Sequence, residues 1–190
     1  LEKYPQTYDL FQKLQEHHVA TYQHLVRVAL VTDDFAQRQG FSPEDCFKAR
    51  TGALLHDLGK LNVPSEILNA QQKPEGEAWE LLKKHVFFTR EYLLASGMED
   101  RDILYIALAH HEFQKESYSR HNGIAWHVEE RRSRTSRLEN LAQIVVLADK
   151  LDTSLYRKDQ VHGHLAPQEK IARDFTGNHE LIPLIMQNVA

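Results

Sequence analysis

His56-Asp57-Leu58-Gly59-Lys60 puts an imidazole, a carboxylate and an ammonium close together in the chain. On a helix, residues one, three and four apart project within a limited arc. His56 and Asp57 can therefore share a metal site while Lys60 stands one turn below. A neutral imidazole and a carboxylate suit a divalent ion, and an ammonium suits a phosphate oxygen drawn to that ion. The preceding Ala53-Leu54-Leu55 is apolar, so the charged group ends a buried segment, where an unpaired Asp or Lys is costly. A core histidine beside a capping Asp would explain an isolated His-Asp pair, so other donors decide the matter.

Such donors stand at His24, His85, His110-His111 and Asp149, each inside or at the end of a segment that reads as helical. Taken singly, each has an ordinary explanation. His24 reads as a helix-surface or core histidine, and His85, after Lys83-Lys84, as a solvated one. His110-His111 ends the apolar run 103–109, where a histidine favours a helix C-terminus. Asp149 lies inside the apolar run 144–151 and needs a partner cation. One site explains them all better than separate coincidences, because helical metal phosphohydrolases gather ligands one or two per helix. The expected metal ligands are His24, His56, Asp57, His85, His110, His111 and Asp149, with Asp57 and Lys60 as the catalytic pair.

The elements that must carry these residues read as helix after helix. Residues 21–39 have apolar positions at Leu25, Val28, Ala29, Val31 and Phe35, ending at Gly40, a C-terminal cap. Ser42-Pro43-Glu44-Asp45 supplies an N-cap, a first-turn proline and first-turn acids for the helix that delivers His56 and Asp57. A single helix is expected from 74–76 through Trp79, Leu82, Val86 and Leu93 to Gly97, with His85 near its inward face. Helices are expected over 100–111 and 138–156, with a weaker tail at 167–175 and 181–189. The polar stretch 114–134 is too long for a tight turn and reads as a lid or binding loop. No repeat, low-complexity segment or alternating strand pattern is present, so the fold class is all-α, one domain over 1–190.

Composition sets outer bounds. The 190 residues suffice for one sizeable core, and twelve histidines are a dense supply. A net charge of -4 without a basic stripe argues against a nucleic-acid polymer as partner. Arg131, Arg132, Arg134 and Arg137 form a local basic cluster, a solvated face or a steering patch for an anion. The one cysteine, Cys46, excludes an internal disulfide, reads as buried filler and fits a reducing, cytoplasmic compartment. No apolar run reaches membrane-span length and no leader is evident. The chain opens on Leu1 rather than Met, so it reads as a fragment of a longer protein. An attached sensor module and a homodimer are the further expected partners.

The order His24, His56-Asp57-Leu58-Gly59-Lys60, His85, His110-His111-Glu112, Asp149 resembles the HD superfamily of metal-dependent phosphohydrolases. More narrowly it resembles the HD-GYP branch, which degrades cyclic dinucleotides such as cyclic di-GMP. The segment 61–68, the stretch 79–85 and the run 144–152 fit the same pattern, so the resemblance covers about residues 20–158. It implies a single HD-domain helical bundle with the metal site at its centre. The chain departs from the branch in three places. Where Gly-Tyr-Pro is usual, residues 113–120 retain only Tyr118. The Glu of three-metal members is replaced by Ala20, which favours two ions. Gln143 stands where an arginine often precedes the last Asp-bearing run, removing one phosphate contact.

The ligand set implies two divalent ions about 3.5 to 4 Å apart, bridged by Asp57, that activate water for in-line attack on phosphorus. Lys60 would take up charge on nonbridging oxygens. Nitrogen and oxygen donors without thiolate suit iron or manganese, with magnesium, nickel and zinc as alternatives. The expected function is a cyclic dinucleotide phosphodiesterase acting on a small-molecule nucleotide substrate. The alternatives are another HD phosphohydrolase of nucleotides or an HD-GYP-like sensor or docking domain of weak activity.

Overall fold

The computed structural model describes residues 4–115, 136–156 and 165–187. The expected lid over 114–134, with Tyr118, Arg131, Arg132 and Arg134, falls almost wholly outside them. Among the described residues the regular secondary structure is helical, apart from an isolated bridge between Gln114 and Phe175. The helices are α1 (Pro5–His17), α2 (Val19–Arg38), α3 (Pro43–Leu55), α4 (Ser65–Leu68), α5 (Gly76–Lys83), α6 (His85–Ala95), α7 (Arg101–Leu108), α8 (Ser136–Tyr156), α9 (Pro167–Asp174) and α10 (Leu181–Met186). The 3₁₀ turn Leu58–Asn62 carries Lys60 past the end of α3, and the 3₁₀ turn Ala109–His111 carries His110 and His111 past the end of α7.

Local chemistry sets most boundaries. His18 is extended and its Nδ1 accepts from the Thr21 amide, which closes α1 and opens α2. Gly40, at φ 76°, ends α2 in a left-handed turn whose next amide, Phe41, reaches back to the Ala36 carbonyl. Ser42 caps α3 as expected, its Oγ accepting from the Asp45 amide at 3.1 Å, with Pro43 in the first turn.

Two expectations are corrected. The helix expected over 74–97 is two helices, broken at Lys84, whose amide makes a tight bond to the Leu81 carbonyl. Neither Gly nor Pro marks the break, so tertiary packing imposes it. Helix α1, absent from the sequence reading, buries only Thr7, Phe11 and Leu14, a stripe too thin to stand out.

Two apolar clusters flank the site. One joins α2, α3, α7 and α8 with the tail, through Phe35, Ala53, Ile106, Ile144, Leu147, Ile171 and Phe175. The other joins α1, α2, the end of α3, α6 and α7 through Leu14, Leu25, Leu55, Leu58, Val86, Leu93 and Leu108. Cys46 is buried apolar filler, as expected. Among the described residues no helix is long and apolar enough to cross a membrane.

Candidate metal centre

Each candidate ligand sits at a helix end or on an inward face. His24 lies on α2, His56 and Asp57 at the α3 exit, His85 at the start of α6, His110 and His111 in the turn after α7, and Asp149 on α8. All seven converge. His56, Asp57, His85 and His110 are at most 3% exposed, a depth at which unsatisfied donors or acceptors are costly.

Gly59 explains how two of these stations meet. A methyl group there would lie 1.9 Å from the His85 carbonyl oxygen and 2.5 Å from the Thr89 amide nitrogen, so only glycine lets the turn touch α6. Thr89 then ties the turn down, its hydroxyl accepting from the Gly59 amide at 2.8 Å and donating to the His56 carbonyl at 3.1 Å.

The histidines are held in defined tautomers. The Nδ1–H of His56 donates to the Ala53 carbonyl (2.7 Å), that of His85 to Leu82 (2.7 Å) and that of His110 to Ala107 (2.8 Å). Each is a carbonyl one turn back, so each Nε2 lone pair faces inward. His24 is held by a carboxylate instead: its Nδ1–H donates to Asp152 Oδ2 at 2.7 Å, and Arg27 donates to both Asp152 oxygens at 2.6 and 2.9 Å. Its Nε2 lies 3.2 Å from Asp149 Oδ1.

Asp57 stands between two donor groups, His85-His110-His111 and His24-His56-Asp57, in each of which the ligand atoms lie within 4.8 Å of one another. Its Oδ1 is 3.1 Å from His85 Nε2 and 3.7 Å from His110 Nε2. Its Oδ2 is 3.5 Å from His56 Nε2 and 3.8 Å from His24 Nε2, and also meets the Lys60 ammonium. His85 Nε2 and His110 Nε2 are 3.1 Å apart. With both Nδ1 atoms protonated, that sets lone pair against lone pair. The buried His56 Nε2 has no hydrogen-bond partner among the described residues. A cation resolves all of this, so the residues fit divalent metal.

Electrostatics agree. Burial alone would push the Asp57 carboxyl up, but the Lys60 ammonium beside it holds it well below the usual carboxylate range. Asp149 is likewise held low against burial by the hydrogen bond and charge of His24. Burial lowers His24, but the bonds to Asp149 and Asp152 outweigh it and lift the group to about 9. Burial pushes His56, His110 and His111 below their ordinary value, leaving neutral rings suited to ligation.

Other expected positions fall elsewhere. Ala20 is exposed on α2 and carries no donor. Gln143 is buried, and its Oε1 accepts from the Asn178 amide at 2.6 Å, fastening the tail. Arg137 pairs with Asp45 and Asp102 rather than facing an anion. The residues the sequence reading missed are the supports: Asp152 for His24, Gln114 for His111 at 2.5 Å, and Lys150 for Gln114 at 2.9 Å. Asp152 carried a usable signal, lying three residues after Asp149 and so on the same helix face.

A profile of the HD domain family matches residues 21–154, a span holding all seven candidate ligands. The chain belongs to the HD domain family. This HD domain is similar to two proteins of Vibrio cholerae serotype O1. The 3'3'-cGAMP-specific phosphodiesterase 3 is 36% identical over 89 residues, 47% of this chain and 19% of the relative. The 3'3'-cGAMP-specific phosphodiesterase 2 is 29% identical over 106 residues, 55% of this chain and 20% of the relative. The chain thus spans about a fifth of the length of the curated relatives it matches. Among solved structures, the HD domain of the L. monocytogenes phosphodiesterase PgpH superposes with a TM-score of 0.58 at 21% identity, covering 94% of this chain and 83% of that one. The same domain in complex with cyclic-di-AMP gives 0.57 at 16% identity, covering 95% and 82%. At such identities the likeness is one of fold, and it establishes the all-helical HD architecture.

Proposed function

We propose that this HD domain hydrolyses a phosphodiester bond of a cyclic dinucleotide, using two divalent ions. The observation that carries the reading is the division of Asp57, with Oδ1 toward His85 and His110 and Oδ2 toward His24 and His56. In this reading His24, His56, Asp57 and Asp149 hold one ion and Asp57, His85, His110 and His111 the other. Iron or manganese suits donors of mixed nitrogen and oxygen without thiolate. The cyclic dinucleotide is supported by the relatives, whose names specify 3'3'-cGAMP phosphodiesterases, and by the HD-GYP-like order of the ligands.

Divalent ions bound there supply Lewis acidity toward a phosphate and toward water. The chain's own residues do the rest. His56, His85 and His110 present fixed lone pairs, held by bonds on their other nitrogens, so no reorganisation of these rings is needed during reaction, and His24 is held in place by Asp152. Lys60, beside Asp57 at the edge of the buried group, offers its ammonium to a nonbridging phosphate oxygen. Its partner Asp57 stays ionised throughout, since its carboxyl is held well below the usual range.

The test is product chromatography. The protein, loaded without oxygen with Fe(II) or Mn(II), is incubated with 3'3'-cGAMP, cyclic di-GMP, cyclic di-AMP and nucleoside monophosphates. The expected result is a linear dinucleotide or mononucleotides from at least one cyclic substrate, abolished by Asp57→Ala. Release of phosphate from the monophosphates alone would replace this reading with a nucleotidase, and no turnover with both ions bound would leave a docking domain.

A further inference from the structure

His111 is held unlike its neighbours. His56, His85 and His110 each donate Nδ1–H to a backbone carbonyl, which frees Nε2 for a metal. The Nδ1 of His111 instead faces the Gln114 side-chain amide, and its Nε2 lies 3.3 Å from His85 Nε2. The sense of the Gln114 amide is fixed by Lys150. An ammonium only donates, and its Nζ is 2.9 Å from Gln114 Oε1, so the amide NH₂ must be the end that meets His111. A ring that accepts at Nδ1 carries its proton on Nε2. The other side agrees: His85 Nε2 offers a lone pair, because the His85 proton is on Nδ1, and the His111 Nε2–H points to it. A doubly protonated His111 would set N–H against N–H at Gln114.

Lys150 is itself held. It pairs with Asp174 at the end of α9, and Asp174 is stitched to the segment after His111 through the Lys115 amide at 3.0 Å from its backbone carbonyl. The Thr176 amide donates to the Phe113 carbonyl at 3.0 Å beside it. The tail therefore sets the orientation of the amide that sets the tautomer of His111.

We propose that Gln114 and Lys150 are positioning residues that lock His111 in the Nε2–H tautomer, so that His111 joins the second ion only when the Gln114 amide turns over. Turning presents Oε1 to a proton moved to Nδ1 and opens Nε2 to the metal. The lock weakens the ion at His85, His110 and His111 relative to the ion at His24, His56 and Asp57. This rests on the two-ion reading above, but the tautomer is a property of the metal-free protein and is tested there.

The experiment is long-range ¹H–¹⁵N correlation of the histidine rings in the metal-free protein, followed by Mn(II) titration read by electron paramagnetic resonance. His111 is expected to read as Nε2–H while His56, His85 and His110 read as Nδ1–H. Gln114→Met, which leaves the charge unchanged, should release His111 to the Nδ1–H form and tighten the weaker Mn(II) by about tenfold, the scale of a supporting hydrogen bond at a metal. Lys150→Met should shift the tautomer the same way. His111 reading as Nδ1–H in the unsubstituted protein overturns the proposal, as does a weaker Mn(II) unmoved by Gln114→Met. If no Mn(II) binds while His111 still reads as Nε2–H, the two-ion reading falls and the lock itself is upheld.

Discussion

His24 concentrates the tension of the site in one ring. In the metal-free protein its value is lifted to about 9 by Asp149 and Asp152 against the pull of burial, so it carries a proton at neutral pH. An ion on that side must displace the proton, and its affinity should rise about tenfold per pH unit up to about pH 9, then level off. The rings of His56, His110 and His111 lie below their ordinary value and contribute no such slope above it. Calorimetric titration with Mn(II) between pH 6.5 and 9.5, in buffers of different protonation enthalpy, should count about one proton released. A count near zero would remove His24 from the ligand set. The same shift has a stability consequence of fixed sign. A raised histidine contributes stability fully present below its unfolded value of 6.5 and lost as pH rises through about 9. Lys60 allows a second residue-scale prediction. If it serves the phosphate, Lys60→Ala keeps both ions by elemental analysis and lowers kcat by about 100-fold. Loss of metal together with activity would make Lys60 a structural partner of Asp57 instead.

At the scale of elements, the site depends on a contact that only glycine permits. Gly59→Ala would drive a methyl group into the His85 carbonyl oxygen at 1.9 Å and the Thr89 amide at 2.5 Å. Both are backbone, so no side chain can swing away, and the α3 exit must separate from α6. The expected cost is about 3 kcal/mol in urea unfolding, the upper part of the usual range for overpacking that forces a backbone shift. Metal binding should weaken as well, because His85 and Asp57 move apart. A variant of unchanged stability would mean that the turn and α6 do not touch. This contact also shows what was legible beforehand. The boundaries of α2 and α3 could be read because Ser42, Pro43 and Gly40 act locally, and α8 because its apolar run is long. The break at Lys84 could not, since nothing between Lys83 and His85 disfavours helix. It exists because the turn carrying Gly59 packs against the first residue of α6.

For the whole molecule, the candidate ligands were legible because imidazoles and carboxylates are conspicuous in apolar helices wherever the chain places them. The supports of His111 were not, because Gln114 and Lys150 acquire their roles only when α8 meets the segment after α7 and the tail. That gathering gives metal a direct hold on folding. Donors from His24 to Asp149 come from separate elements that flank both apolar clusters, and they converge only in the folded chain. An ion that binds the folded state alone stabilises it by about 2.7 kcal/mol at a hundredfold excess over its Kd. For a chain of this size each kcal/mol moves Tm by about 2–4 °C, so one bound ion should raise Tm by about 5–10 °C, and a chelator should reverse the gain. Part of the effect is relief of repulsion, since the metal-free site sets the lone pairs of His85 and His110 against each other at 3.1 Å. Asp57→Ala, which removes the carboxylate shared by both donor groups, should abolish most of the metal-dependent shift in differential scanning calorimetry. A Tm indifferent to chelator, with ions shown to be bound by elemental analysis, would mean that they sit on a surface the fold does not need and would separate metal binding from this buried site.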